Sequence, residues 1–286
     1  MQSSPGPKVY NPENQEPKEN EVSERKKRIL ITNDDGFEAD GLAALRDALS
    51  DLGEVITVAP TLEKSASGHS LTLTRPLRFV ELGENFYKLD DGTPTDCVFL
   101  ALNKLFADRP PDLIVSGINR GGNMGEDITY SGTAAAAMEG VLQGVPSMAV
   151  SQVCRSHCEE LPRLGYRLAR QAVRDLAAKI LEGGFPLPER KFLNVNIPPV
   201  EPADCAGIAV THAGRRLYGN DAQVHINPRG QEYYWIGLPR LDWHPHPHPG
   251  SRLSDFEAIR ENYVSVTPIQ LDMTAYDEIE SLKGWI

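Results

Sequence analysis

A buried strand that ends in two adjacent carboxylates is the feature that most constrains the fold of this chain. Residues 27–36 read KRILITNDDG, an apolar run that stops at Asn33 and is followed by Asp34, Asp35 and Gly36. Such a run is typical of a strand that both faces of a parallel sheet bury. Ligands of open α/β sheets bind just beyond the carboxyl ends of these strands. The segment therefore predicts the first strand of such a sheet, with polar groups at its ligand-binding edge.

The two carboxylates allow two interpretations. Successive residues of a strand point to opposite faces, so Asp34 and Asp35 converge only if the chain turns, which Gly36 permits. Two carboxylates that converge repel each other unless they share a proton or bind a hard cation. The alternative is an Asp-rich turn that caps the next helix, because Asn, Asp and Gly are common turn formers. These residues alone leave both interpretations open.

The pattern after the first strand predicts a doubly wound α/β sheet. Residues 40–49 have helical spacing, with Leu42, Leu45 and Leu49 on one face, and residues 55–60 form a second short apolar run. Strand, helix and strand in about thirty residues make a βαβ unit, whose crossover is right-handed in nearly all cases. Further strands are predicted at 111–119, 147–151, 192–197 and 263–268, with a helix at 165–181. The resulting fold class is α/β with a mostly parallel sheet.

Local signals predict the remaining organisation. Residues 71–74 and 77–80 alternate as β structure, Thr93 and Pro94 begin a helix, and Ser254 caps a helix at 255–260. Short β segments at 207–212, 224–226 and 231–236 predict a protruding arm at about 207–250, followed by a C-terminal segment at about 251–286. The prolines of the His-Pro tract at 244–249 favour an extended loop rather than a metal tract. Residues 1–26 are too polar to bury a core, which predicts a disordered leader before a single domain at 27–286.

Composition excludes several classes of function. Twenty-nine Lys and Arg stand against 40 Asp and Glu, a net charge of -11, which repels nucleic-acid backbones. No apolar run is long enough to span a bilayer and the N-terminus has no hydrophobic signal core, so we expect a soluble, cytoplasmic protein without membrane partners. The four cysteines lack paired zinc-ribbon spacing. We therefore expect free thiols at Cys97, Cys154, Cys158 and Cys205.

Polar groups at the ends of several predicted strands converge at one edge of the sheet. They are Asp34, Asp35, the loop that contains Ser65, Asn119, and the helix start that Ser131 or Thr133 caps after the glycine-rich loop at 120–125. Carboxylate, hydroxyl and amide oxygens are hard ligands, which favours Mg²⁺ or Mn²⁺ over zinc. The helix start offers free N–H donors for phosphate. A hard cation beside an anion-binding helix start suits phosphate-ester hydrolysis, with Asn33 orienting the carboxylates or contacting phosphate.

Several short segments, in one order along residues 28 to about 275, resemble the SurE survival-protein nucleotidases. They are ITNDDG at 31–36, SASGHS at 65–70, GTPTDC at 92–97, SGIN at 116–119, YSGT at 130–133 with AAMEG at 136–140, and YVSVTP at 263–268. The resemblance implies a Rossmann-like core with a β-hairpin arm and a C-terminal segment swapped between subunits of a homodimer, which pairs in some members into a homotetramer.

The resemblance also implies the activity and its residues. The activity is that of a divalent-metal-dependent 5′-nucleotidase, a phosphoric monoester hydrolase that acts on nucleoside 5′- and 3′-monophosphates and, in some members, on short-chain polyphosphate. Carried over by position, one Mg²⁺ or Mn²⁺ per subunit is held by Asp34, Asp35, Ser65 and Asn119. Ser131, Gly132 and Thr133 hold the phosphate, and the catalytic set is Asp34, Asp35 and Asn33.

Three rival functions are weighed against this prediction. A phosphatase with an aspartyl nucleophile places its two aspartates at alternate positions, whereas Asp34 and Asp35 are adjacent. A nucleotide sensor without turnover can share the fold, and metal-dependent phosphate release separates the two. A dehydrogenase needs the glycine fingerprint that the first strand here lacks. The group that activates water is left open; His69 is one choice, although its position in a polar loop also fits a solvent-facing side chain.

Overall fold

The fold is a mostly parallel α/β sheet, as the sequence predicts. The computed structural model describes residues 25–154, 158–219, 222–236, 242–245, 248, 250 and 252–286. Nearly all of the predicted leader therefore lies outside the described residues. In chain order the strands are β1 (Arg28–Thr32), β2 (Glu54–Pro60), β3 (Arg78–Gly83), β4 (Phe86–Asp90), β5 (Leu113–Arg120), β6 (Ser147–Gln152), β7 (Lys191–Ile197), β8 (Gly207–Val210), β9 (Arg215–Arg216), β10 (Ala222–Ile226), β11 (Glu232–Ile236), β12 (Trp243–His244) and β13 (Tyr263–Gln270). The helices are α1 (Asp40–Leu49), α2 (Pro94–Lys104), α3 (Gly132–Leu142), α4 (Leu161–Leu164), α5 (Arg167–Gly183), α6 (Asp255–Arg260) and α7 (Ile279–Trp285).

The main sheet has the strand order β3-β4-β2-β1-β5-β6-β7-β13-β8. From β4 to β7 neighbouring strands are parallel, while β3 and β13 run antiparallel to β4 and β7. Helices α1 and α5 cover one face through a single apolar cluster. Helices α2 and α3 cover the other face through two further apolar clusters. The sheet is therefore doubly wound, and the central strands are buried on both faces, where their apolar residues pack against the helices.

Local signals fixed the helix ends as predicted. Thr93 caps α2 in a capping box with Asp96, Pro94 is the first helical residue, and Ser254 caps α6 in the same way with Glu257. The cap of α3 is Ser131, whose hydroxyl accepts from the Ala134 amide at 3.0 Å. Of the two caps that the sequence left open, Ser131 is therefore the one used.

The segment at 71–74 is not a strand, which corrects the prediction of β structure there. Its alternating residues have no partner strand; instead the amide and hydroxyl of Thr72 donate to Asp96, at 2.9 and 2.7 Å. The segment at 207–210 forms β8, which pairs with β13 in the main sheet. The hairpin of β10 and β11 forms a separate two-stranded sheet whose residues are all exposed.

The expectation of four free thiols is wrong for two of them. Cys154 and Cys158, four positions apart, form a disulfide with their Cα atoms 4.7 Å apart, a separation at which two cysteines can be bridged. Cys97 and Cys205 are free thiols as predicted. Among the described residues, no helix has both the length and the apolar character to cross a bilayer.

Candidate active site

The candidate active site lies where the order of strands reverses. The chain leaves β1 to build β2 and β4 on one side of it, and then returns to place β5 on the other side. At such a switch point the loops after the two central strands diverge and open a crevice. Asn33, Asp34 and Asp35 follow β1, while Asn119 is the penultimate residue of β5. The topology therefore brings together the two segments that the sequence predicts to carry metal ligands.

Asp34 is buried and is held by the first turn of α3. The Thr133 hydroxyl donates to one carboxylate oxygen at 2.5 Å, and the Thr133 amide donates to the other at 3.1 Å. The Asp34 carbonyl accepts from the amide of Lys64 at 2.7 Å, which ties the loop after β2 to the end of β1. The positive end of the α3 dipole thus faces this carboxylate.

Burial raises the pKa of Asp34 from its ordinary value near 3.8 to about 6. The hydrogen bonds from Thr133 oppose this shift and the negative charge of Asp35 adds to it. Burial also raises the pKa of Asp35, against the hydrogen bond that Asp35 accepts from the Arg120 amide at 3.1 Å. The fold therefore places a buried carboxylate beside a partly buried one without fully compensating their charge.

Asp35 opens into a cleft on the α1 side of the sheet. The cleft has a volume of ≈ 1110 Å³, and Ser65, Glu63 and Arg120 line it beside Asp35. The Ser65 hydroxyl donates to a Glu63 carboxylate oxygen at 2.8 Å. Two of the predicted metal ligands, Asp35 and Ser65, therefore share one solvent-filled space.

The two predicted asparagines are both held by their own turns. The Asn33 side-chain amide donates to the Gly36 carbonyl at 2.8 Å, and that of Asn119 donates to the Gly121 carbonyl at 2.9 Å. The side-chain oxygen of Asn33 is buried and has no hydrogen-bond partner among the described residues. A buried acceptor without a donor costs free energy, and it is the kind of group that a bound ligand or water satisfies.

The three residues predicted to hold phosphate have distinct roles in the structure. Ser131 caps α3 and Thr133 binds Asp34, so three of their polar groups are engaged within the protein. Gly132 lies where no side chain fits, because a Cβ there would stand 2.8 Å from Asp34 Cβ and 3.0 Å from Ser67 Oγ. The closeness of Thr133 and Ser67 to Asp34 was not predicted, since neither contact leaves a local signal in the sequence.

The donor set fits a hard divalent cation. Asp34, Asp35, Ser65 and Asn119 offer oxygen ligands, and a cation would offset the charge of the buried Asp34 and of Asp35 beside it. Within the described ranges, no group of three or more His, Cys, Asp and Glu side chains clusters as a metal site. The predicted set does not depend on such a cluster, because only two of its four members are carboxylates. Zinc, which prefers Cys and His, fits this set less well.

Fold and site together define a doubly wound α/β protein with a pair of adjacent carboxylates, one of them buried, at its switch point. The family model of the survival protein SurE matches residues 29–220. The chain therefore belongs to the SurE family, which confirms the resemblance drawn from its short segments.

Individual relatives agree with this assignment. The chain is 60% identical to a protein named 5′-nucleotidase SurE from a Sulfurovum species, over 92% of this chain and 98% of that protein. It is 58% identical to a protein of the same name from a Nitratiruptor species, over 91% of this chain and 100% of that protein. The crystal structure of the SurE protein from Aquifex aeolicus matches with a TM-score of 0.76 at 41% identity, over 90% of this chain and 99% of that one. The likeness covers both the core fold and most of the chain's length.

Proposed function

We propose that this protein is a divalent-metal-dependent 5′-nucleotidase that hydrolyses nucleoside 5′- and 3′-monophosphates to nucleoside and phosphate. Short-chain polyphosphate is a second proposed substrate. The observation that carries the proposal is the buried Asp34 carboxylate, which the start of α3 holds at the switch point beside Asp35. Relatives at 60% and 58% identity are named 5′-nucleotidase SurE, which supports the same activity.

One Mg²⁺ or Mn²⁺ per subunit is proposed to bind Asp34, Asp35, Ser65 and Asn119. Such a cation, when bound, polarises a phosphoryl oxygen and lowers the pKa of a coordinated water. The chain's own residues prepare this site before the cation arrives. Thr133 fixes the orientation of Asp34, and the Arg120 amide fixes that of Asp35.

The start of α3 is proposed to receive the phosphate of the substrate. The positive end of the helix dipole and the backbone amides near Ser131 and Gly132 favour an anion there. Thr133 serves this phosphate indirectly, since both of its donors hold Asp34. The unpartnered side-chain oxygen of Asn33 is proposed to orient a water or a hydroxyl of the bound substrate.

A homodimer or a homotetramer is the proposed assembly, with the C-terminal segment swapped between subunits. The hairpin of β10 and β11 exposes Tyr234, Trp235 and Ile236, and the C-terminal segment exposes Met273 and Trp285. Exposed apolar groups of this size mark interaction surfaces. Both elements lie outside the main sheet and are exposed, so a second copy of the chain is able to cover them.

The test is phosphate release from a panel of nucleoside 5′- and 3′-monophosphates and tripolyphosphate, with added Mg²⁺ or Mn²⁺ and again after chelation. We expect release with metal and its loss on chelation. An Asp34→Asn variant that folds normally should release phosphate at least about 100-fold more slowly. Absence of release with every substrate and metal would reject the proposal in favour of a nucleotide-binding sensor on the same fold.

A further inference from the structure

Helix α3 contains a buried carboxylate that the catalytic set does not use. Glu139 lies in the third turn of the helix, and its side chain is only 5% exposed. The residues from Ala134 to Ala137 in the same helix are buried and apolar. A buried carboxylate costs free energy unless it is well paired, so its presence in an apolar helix calls for a specific contact.

That contact is made by His69, in the loop that contains Ser65. The Nε2 atom of His69 lies 3.0 Å from one Glu139 oxygen, and the Gln143 side-chain amide donates to the other at 2.9 Å. Because a carboxylate accepts hydrogen bonds, the Nε2 atom facing it carries the proton. The His69 side chain is about one-third exposed, whereas that of Glu139 is almost completely buried. The bond therefore joins the loop to a buried position on α3.

The loop meets α3 at a second point, two turns nearer the N-terminus of the helix. There Ser67 packs so closely on Gly132 that a Cβ would stand 3.0 Å from the serine hydroxyl. The Gly68 amide also donates to the Tyr130 carbonyl at 3.0 Å, next to the helix cap. Gly132 and Glu139 are seven positions apart, about 10 Å along a helix. Contacts at both ends of this span fix the position and the tilt of the loop.

The same helix holds Asp34 through Thr133. It therefore acts as a common support for the carboxylate after β1 and for the loop after β2, which contribute two different proposed metal ligands. Groups that orient the ligands of a metal typically change its affinity or the activity about 10–100-fold when they are removed.

We propose that His69 and Glu139 are positioning residues that set the place of Ser65 relative to Asp34. This inference rests on the proposed metal-dependent nucleotidase function. The pair acts through the loop and through α3; neither residue is assigned a contact with the substrate or the reacting atoms. Breaking the pair releases the loop at its His69 end, while the hydrogen bonds from Thr133 to Asp34 remain.

The test compares wild type with His69→Ala, His69→Gln and the control Gln143→Ala. His69→Ala should lower kcat/KM and the affinity for Mn²⁺ about 10–100-fold, and should speed hydrogen exchange at the Gly68 amide. His69→Gln retains a side-chain donor for Glu139 and should recover most of the loss. Gln143→Ala removes the other bond of Glu139 without touching the loop, and should leave kcat/KM, Mn²⁺ affinity and Gly68 exchange within about twofold of wild type.

A double variant separates positioning from simple folding. His69→Ala leaves a buried carboxylate half-paired, so its loss of stability alone could lower activity. Adding Glu139→Gln removes that charge, and the double variant should regain thermal stability but neither activity nor Mn²⁺ affinity. Recovery of activity together with stability, or wild-type kinetics in His69→Ala, would overturn the inference. Wild-type protein without metal-dependent release would instead reject the proposed function itself.

Discussion

Asp34 is a buried carboxylate whose surroundings favour its protonated form. Burial raises its pKa to about 6 although Thr133 donates two hydrogen bonds to it. At neutral pH the charged form of Asp34 therefore destabilises the fold, and the proposed cation would relieve this cost. Enzyme active sites commonly contain groups that lower the stability of the fold and are kept because the reaction needs them.

The pKa shift of Asp34 predicts an unusual pH dependence of stability. Because the folded pKa lies above the unfolded value near 3.8, the folded state binds the proton more tightly. The contribution of Asp34 to the free energy of unfolding is therefore most favourable below about pH 4 and is lost as the pH rises through about 6. A shift of this size corresponds to about 2–3 kcal/mol. Urea denaturation of chelator-treated protein from pH 4 to 7 measures it.

The matched control for this prediction is Asp34→Asn, which keeps the shape of the side chain and cannot ionise. Carboxylates other than the neighbouring Asp35 titrate alike in both proteins, so the difference between their unfolding free energies reports the ionisation of Asp34 together with its repulsion of Asp35. We expect wild type to lose stability relative to the variant between pH 4 and 6. A constant difference across this range would show that Asp34 ionises without cost in the folded protein.

At the scale of elements, α3 and the loop after β2 form one unit around Asp34. Their closest approach is at Gly132, where Asp34 and Ser67 leave no room for a Cβ. The loop is held on its far side by α2, because the Thr93 hydroxyl donates to the Ser70 carbonyl at 2.8 Å and Asp96 accepts from Thr72. The GTPTDC segment thus supports the site from outside it.

Replacing Gly132 with alanine should disrupt the site more than the helix. Alanine favours helix formation, but its Cβ would force Asp34 or Ser67 to move. We expect at least about a tenfold loss of kcat/KM with a change of less than about 1 kcal/mol in the free energy of unfolding. The control is Gly183→Ala at the end of α5, where nothing lies within 4 Å and activity should stay unchanged. Equal activity in both variants would contradict the close approach.

Sequence reasoning recovered the elements whose signals are local. The apolar run of β1, the helical spacing of α1 and the caps Thr93 and Ser254 each depend on neighbouring residues. The segment at 71–74 was mispredicted because alternation alone does not show whether a partner strand exists. The pairing of β8 with β13 was not predicted, because it joins segments that are far apart in the chain. The final helix α7 was not predicted either, since none of its residues is buried.

The site was predicted as a set of residues but not as a geometry. The sequence named Asp34 and Thr133 separately, yet their hydrogen bonds join residues 99 positions apart. No spacing rule shows that Thr133 would serve a carboxylate. The pair of His69 and Glu139, 70 positions apart, was missed for the same reason, and only the fold reveals it.

At the scale of the whole molecule, the C-terminal segment after β13 is largely exposed, and it is the segment that we propose to be swapped between subunits. Met273, Tyr276, Leu282 and Trp285 all present large apolar surface to solvent. Removing residues 273–286 should therefore leave the sheet folded and shift the protein to monomer, because the deleted surface is the proposed subunit contact. Sedimentation velocity measures the shift, and far-ultraviolet circular dichroism checks the fold. A truncated protein with the oligomeric state of wild type would contradict the proposed swap.

The most direct test of the central claim is equilibrium binding of Mn²⁺, followed by electron paramagnetic resonance, to wild type and to Asp34→Asn. We expect one site per chain in wild type, with affinity at least about 100-fold weaker in the variant, because one of two ligand carboxylates has lost its charge. Parallel phosphate release from a nucleoside monophosphate should fall with it. Equal binding in both proteins would contradict the account, because the cation would then lie somewhere other than at the end of β1.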